Sequence, residues 1–81
     1  MLLKFTPTDA HFAHNVRELY TAARSTDMRI SVLFKDGSAV HTKNLHYARL
    51  TGTMRNWLEV DGWRHELADV AEIRYRIMGV K

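Results

Sequence analysis

Trp57-Leu58-Glu59-Val60-Asp61-Gly62-Trp63-Arg64-His65-Glu66-Leu67 decides the fold class. Asp-Gly between two alternating segments is a strong signal for a two-residue β-hairpin, because both turn positions need positive φ. Such a turn fixes the register. Val60 falls opposite Trp63, Glu59 opposite Arg64, Leu58 opposite His65, and Trp57 opposite Glu66. Side chains alternate along a strand, so one face carries Leu58, Val60, Trp63, His65 and Leu67. The other carries Trp57, Glu59, Arg64 and Glu66. Glu59 opposite Arg64 is a complementary cross-strand pair, which supports this register.

The same period extends outward in both directions. Met28, Ile30, Val32 and Phe34 alternate with Arg29, Ser31 and Lys35, and Leu33 blurs the polar side. Lys35-Asp36-Gly37 then reads as a turn. A three-residue loop with a left-handed Gly37 puts Val32 opposite Val40 and Ile30 opposite Thr42. A two-residue turn puts Val32 opposite His41. The first keeps the apolar residues together and is preferred. Between Leu45 and Met54, Tyr47, Arg49 and Thr51 form one face of a strand and Ala48 and Leu50 the other, with Gly52 as a bulge or strand end. After a short turn at Ala68-Asp69-Val70, Ala71, Ile73, Tyr75 and Ile77 alternate with Glu72, Arg74 and Arg76.

The N-terminal part changes period. Phe12, Val16, Leu19, Tyr20 and Ala23 lie on one face of a 3.6-residue helix. Thr6 can cap it, Pro7 fits the first helical position, and Asp9 follows Thr6 by three as in a capping box. The expectation is a mainly β protein with one N-terminal α-helix. One domain spans 1–81, with the helix at about 7–24 and a β-barrel at about 28–78. Five short antiparallel strands would close into a small barrel, because closure removes exposed edges.

Composition bounds the function. An 81-residue chain fits one domain and buries only about 60 to 65% of the surface it exposes when unfolded. A deep substrate cleft would consume much of that core. The chain has no cysteine, which excludes disulfides and cysteine-based zinc sites. A reducing, cytoplasmic location is compatible with this. No stretch reaches the length of a membrane span, and no leader pattern follows Met1. The formal net charge is +3. Residues 1–27 are balanced, so the excess lies in 28–81. No acidic residue occurs between Asp36 and Glu59.

Three features together resemble the Sm-like small barrels, which are also SH3-like in architecture. They are the leading helix, the Val32-Leu33-Phe34-Lys35-Asp36-Gly37 hairpin, and the closing Leu67-Ala68-Asp69-Val70-Ala71-Glu72-Ile73 segment. Within that group the chain most resembles the Rof-like family, small inhibitors of the transcription terminator Rho. Gly62-Trp63-Arg64-His65-Glu66-Leu67 and Asp69-Val70-Ala71-Glu72-Ile73 match that family's closing hairpin and strand, and the resemblance covers about residues 9–77. It implies a non-catalytic binding module, a regulator in RNA-linked processes. The charge departs from the family pattern. Rof-like proteins meet a basic region of Rho through an acidic surface, and this chain is basic. No functional residue is carried across.

The acid-free stretch supplies the candidate site. Lys43, Arg49 and Arg55 suit phosphates, and Tyr47 or Trp57 suit stacking on bases, with Arg64 nearby. The same residues also fit an ordinary solvated rim, with Trp57 covered by the helix. Glu72, Arg74 and Arg76 share one face of the last strand, which reads as a further basic surface with Arg64 near it, or as a charged, solvated face. His11 and His14 lie three apart on the helix, but a metal would need a third ligand such as Asp9 or Glu18. Ser25, Ser31 and Ser38 lack a nucleophile elbow, and no Gly-rich phosphate loop exists. The expectation is therefore no enzyme, no cofactor and no metal. The expected partner is a protein or an RNA or single-stranded DNA, with no membrane, and the chain is a monomer or a small homo-oligomer through a strand edge.

Overall fold

Both hairpins form as the turn chemistry requires. Asp61 and Gly62 have φ of 52° and 86°, and all four expected pairs form between Trp57–Val60 and Trp63–Glu66. Gly37 has φ of 92°, Val32 pairs with Val40, and Ile30 with Thr42. Asp36 closes this turn by accepting bonds from Ser38 Oγ at 2.6 Å and Ser38 N at 2.8 Å. Those two bonds hold its carboxyl below the ordinary carboxylate value. The ionised turn is therefore favoured above that ordinary value, and the preference is lost as pH falls through the lowered one.

The computed structural model describes residues 2–49 and 56–80. Its elements are β1 (Leu2–Phe5), α1 (Phe12–Ser25), β2 (Thr26–Phe34), β3 (Ala39–Thr42), β4 (Leu45–Arg49), β5 (Asn56–Val60), β6 (Trp63–Glu66) and β7 (Val70–Val80), with a 3-10 turn at Leu67–Asp69. The strands form two antiparallel sheets. One has the order β1-β7-β2-β3 and the other β4-β5-β6.

The architecture corrects the expectation of a five-stranded closed barrel. Seven strands stand in two sheets, and among the described residues no ladder joins the sheets. The reason lies in the N-terminal residues. Leu2–Phe5 forms a strand on β7, pairing Lys4 with Arg74 and Phe5 with Ile73. The other edge of β7 is taken by β2, so no free edge of β7 remains for closure.

The helix also starts later than about residue 7. Its N-cap is His11, with no side-chain cap. Thr6 Oγ1 and Thr8 Oγ1 bond to each other at 2.8 Å, and Asp9 Oδ1 accepts from His11 N at 3.0 Å. Thr6 to His11 is thus spent turning the chain out of β1 rather than capping at Thr6. At the other end strand geometry begins at once, with Thr26 extended at ψ 138°.

The amphipathic face of α1 buries Phe12, Val16, Leu19 and Ala23. It lies against β4 and β2, where it meets Met28, Ile30, Val32, Leu45, Leu58, Val60, Val70 and Ile73 in one core. Phe12 packs edge-on against Tyr47 and Phe5, each with ring centroids 5.6 Å apart. The sheets also touch away from the helix. Phe34 lies 4.7 Å from the His65 ring, and Thr42 Oγ1 donates to Asp61 Oδ1 at 2.6 Å.

The last strand departs from simple alternation. A register shift between Leu33 and Phe34 pairs Phe34 with Val70 and skips Ala71. Val70 is buried in place of Ala71, which is exposed. Trp63 holds its inner-face register but is 75% exposed. It lies at the sheet's far edge from β4, the strand that the helix covers.

Leu58 is fully buried on the central strand of its sheet. Leu58→Ala should lower the unfolding free energy in urea by about 2–5 kcal/mol. Ile77→Ala, at an exposed position, should change it by no more than about 0.5 kcal/mol.

Candidate functional site

The expected site residues do not form one surface. Tyr47 and Arg49 share the face that includes buried Leu45, and partly buried Tyr47 packs edge-on to Phe12 against the core. Part of the Tyr47 ring is therefore spent on the core. Trp57 occupies the opposite face of β5, half-buried between Ala48 and Glu66. Arg64 shares that outer face, opposite Glu59. Lys43 stands at the β3–β4 corner with its ammonium 3.8 Å from Asp27. Arg55 lies outside the described residues, as do Thr51 and Gly52.

Nor is the acid-free stretch acid-free in space. Asp27 reaches Lys43, Asp61 binds Thr42, and Glu59 faces both His46 and Arg64. A sequence window counts only neighbours along the chain, whereas strand pairing imports acids from elsewhere.

The same pairing builds a basic surface on the four-stranded sheet. Its inner face carries Met28, Ile30, Val32 and Ile73, all buried. Its outer face is read directly from the register. One row runs Lys4, Arg74, Ser31, His41 across β1, β7, β2 and β3. The next row places Arg76 opposite Arg29. Lys4, Arg29, Arg76 and His41 are exposed, and Arg74 is partly so.

Acids on this face are already engaged. Glu72 takes two bonds from Arg74, Nε at 2.9 Å and Nη2 at 2.6 Å. Asp27, at the end of β2, faces Lys43. Lys4, Arg29 and Arg76 have no ion pair among the described residues. His41 is fixed by a 2.8 Å bond between Nδ1 and Ser31 Oγ. Like charges directly opposite one another destabilise a sheet. This sheet contains two such pairs, Arg29 with Arg76 and Lys4 with Arg74.

Arg74 and Arg76 were legible as one face of a strand. Lys4 and Arg29 were missed as partners because each comes from a distant segment. The signal for Lys4 was its place between Leu3 and Phe5, a short strand alternation. The expected proximity of Arg64 to Arg74 and Arg76 is replaced by a division between two sheets.

Other candidate chemistry is dispersed. His14 lies 3.8 Å from Glu18, both exposed, and His11 is the helix N-cap. Among the described residues no three His, Cys, Asp or Glu side chains converge on a metal position, and no helix is long and apolar enough to cross a membrane. A cleft of about 600 Å³ lies between the β1–α1 loop and the Leu67–Asp69 turn. Its charged groups are Lys35 and Glu66, with no histidine or serine among its walls. No family model, curated protein or solved structure matches the chain.

Relief of the Arg29–Arg76 repulsion should be measurable. Arg29→Glu should raise the unfolding free energy at low salt by roughly 0.2–1 kcal/mol. The gain should shrink in high salt, because exposed charges are screened. Urea titrations at two ionic strengths check both.

Proposed function

We propose that the protein is a non-catalytic binding module. The outer face of its four-stranded sheet holds the phosphate backbone of a single-stranded nucleic acid. The observation that carries this is the placement of Lys4, Arg29, Arg74 and Arg76 on one sheet face, with like charges directly opposite. An anionic ligand removes the repulsion that the free protein bears. Nucleic-acid backbones are held in this way, by several cations with release of counterions.

The face fits backbone contact rather than base reading. Its outer register positions in β2, β3 and β7 carry Arg29, Ser31, Leu33, Ala39, His41, Glu72, Arg74 and Arg76, with no Phe, Tyr or Trp and a single ring, the His41 imidazole bonded to Ser31. Base stacking needs aromatic platforms, so binding should depend little on sequence. The Rof-like, Sm-like resemblance is consistent with a small β module in RNA-linked regulation. The charge turns the partner preference around, because a basic face suits an acidic ligand. The position of the cations on paired strands also holds them in a fixed array, which lowers the ordering cost on binding.

Fluorescence anisotropy with a labelled mixed-sequence single-stranded RNA tests this reading. Phosphate contacts from the three free cations, Lys4, Arg29 and Arg76, predict a log–log salt slope near about −2, and roughly a 20-fold loss of affinity between 50 and 200 mM salt. The triple variant K4Q/R29Q/R76Q should reduce the slope by about 2, while R17Q, on the exposed side of α1, should leave it unchanged. Absent binding, or a slope the triple variant does not alter, overturns the proposal. Binding of an acidic protein but no oligonucleotide assigns the face to a different partner.

A further inference from the structure

The three-stranded sheet ends on β6, whose outer edge has no strand partner among the described residues. The opposite edge strand of that sheet, β4, lies against α1, and His46 of β4 has its ring 4.4 Å from the Tyr20 ring. Among the described residues the helix does not lie against β6 as it does against β4. Strand β6 has no proline, lysine or bulge in its four-pair register, and its edge protection is confined to its shortness and the charges of Arg64 and Glu66. Trp63 opens this strand and is 75% exposed. Tryptophan is the residue type most enriched among the anchors of protein interfaces.

We infer that β6 is the seam of a homodimer, pairing antiparallel with β6 of a second copy about a two-fold axis at His65. The charge pattern of the strand selects both the partner and the register. Directly opposite residues in an antiparallel pair share a face. An axis at His65 therefore sets Arg64 opposite Glu66 of the second copy, and symmetry repeats that pair. An axis at Arg64 would face arginine with arginine, and one at Glu66 glutamate with glutamate. Trp63-Arg64-His65-Glu66 is thus self-complementary in one register only. A two-fold interface requires that property, because the same patch must serve both sides.

The inner face follows the same register. Each Trp63 comes to the end of the other copy's strand, beside its half-buried Leu67. Its indole there exchanges exposure for contact. His65 stays against its own Phe34 ring, 4.7 Å away. The seam extends the three-stranded sheet to six strands across the dimer. A seam of four residues a side is small beside the 1,200–2,000 Å² or so that stable complexes bury. The dimer is therefore a weak one that forms at high protein concentration.

Sedimentation equilibrium on the full chain reads the association. The wild type should show a monomer–dimer equilibrium. R64E makes the strand acidic at both outer positions and E66R makes it basic at both. Each alone should remain monomeric. An equimolar mixture should form a heterodimer, because every outer pair is then opposite in sign. W63A should weaken self-association by at least about tenfold, the usual loss at an interface anchor. Far-UV circular dichroism checks that each variant is folded. Amide exchange of β6 in the wild type gives a second reading that needs no variant, with protection rising as concentration rises. A wild type that is monomeric at millimolar concentration overturns the inference. So does dimerisation of R64E or E66R alone, or a mixture that stays monomeric.

Discussion

Strand β7 hydrogen-bonds along both edges, to β1 on one side and to β2 on the other. This double engagement governs the rest of the molecule. With both its edges taken, β7 leaves its sheet to end on β1 and β3, and among the described residues neither of these pairs with β4 or β6. The remaining strands form a second sheet, which is tied to the first through packing rather than through a ladder. The same strand brings its own cations beside those of β1 and β2. Fold and surface chemistry therefore share one cause. Had Leu2–Phe5 not paired with β7, that edge would have remained free for closure, and Lys4 would not stand beside Arg74.

Much of this was written locally. The Asp61-Gly62 and Asp36-Gly37 turns dictate registers within a few residues, and both registers form as read. Turn conformation and strand alternation act over short distances, so a sequence exposes them directly. The β1 pairing was not legible in the same way. A four-residue strand has little periodicity, and its partner lies near the other end of the chain. The capping-box pattern at Thr6 and Asp9 misled for a related reason. Those polar groups have two uses, and the demand for a turn after β1 outweighs a helix cap. The bulge at Ala71 likewise depends on how β2 meets β7, not on either strand alone.

The candidate surface shows the same division. The acid-free stretch is a property of chain order. In space Asp27 and Asp61 come to its side chains, and Tyr47 packs against the core. By contrast, Arg29 and Arg76 look unremarkable in sequence, each flanked by apolar residues of its own strand. Only their pairing brings the two charges together. The cost of two like-charge pairs, of order 1 kcal/mol or less each, is tolerable in a domain that folds with about 5–15 kcal/mol to spare. A cost of that size persists where it is small, and under the proposed function a bound polyanion would offset it.

The two sheets also separate the two surfaces. The basic face belongs to β1, β7, β2 and β3, whereas the self-complementary edge belongs to β6 of the other sheet. Joining two copies through β6 therefore covers none of Lys4, Arg29, Arg74 or Arg76. Each copy keeps its cations, and one dimer offers two basic faces to a chain long enough to reach both. Linked sites raise the effective concentration of the second contact without any new interaction. A seam too weak to persist alone would then be strengthened by the ligand, because whatever binds two copies together favours the dimer by the same free energy with which the dimer favours binding.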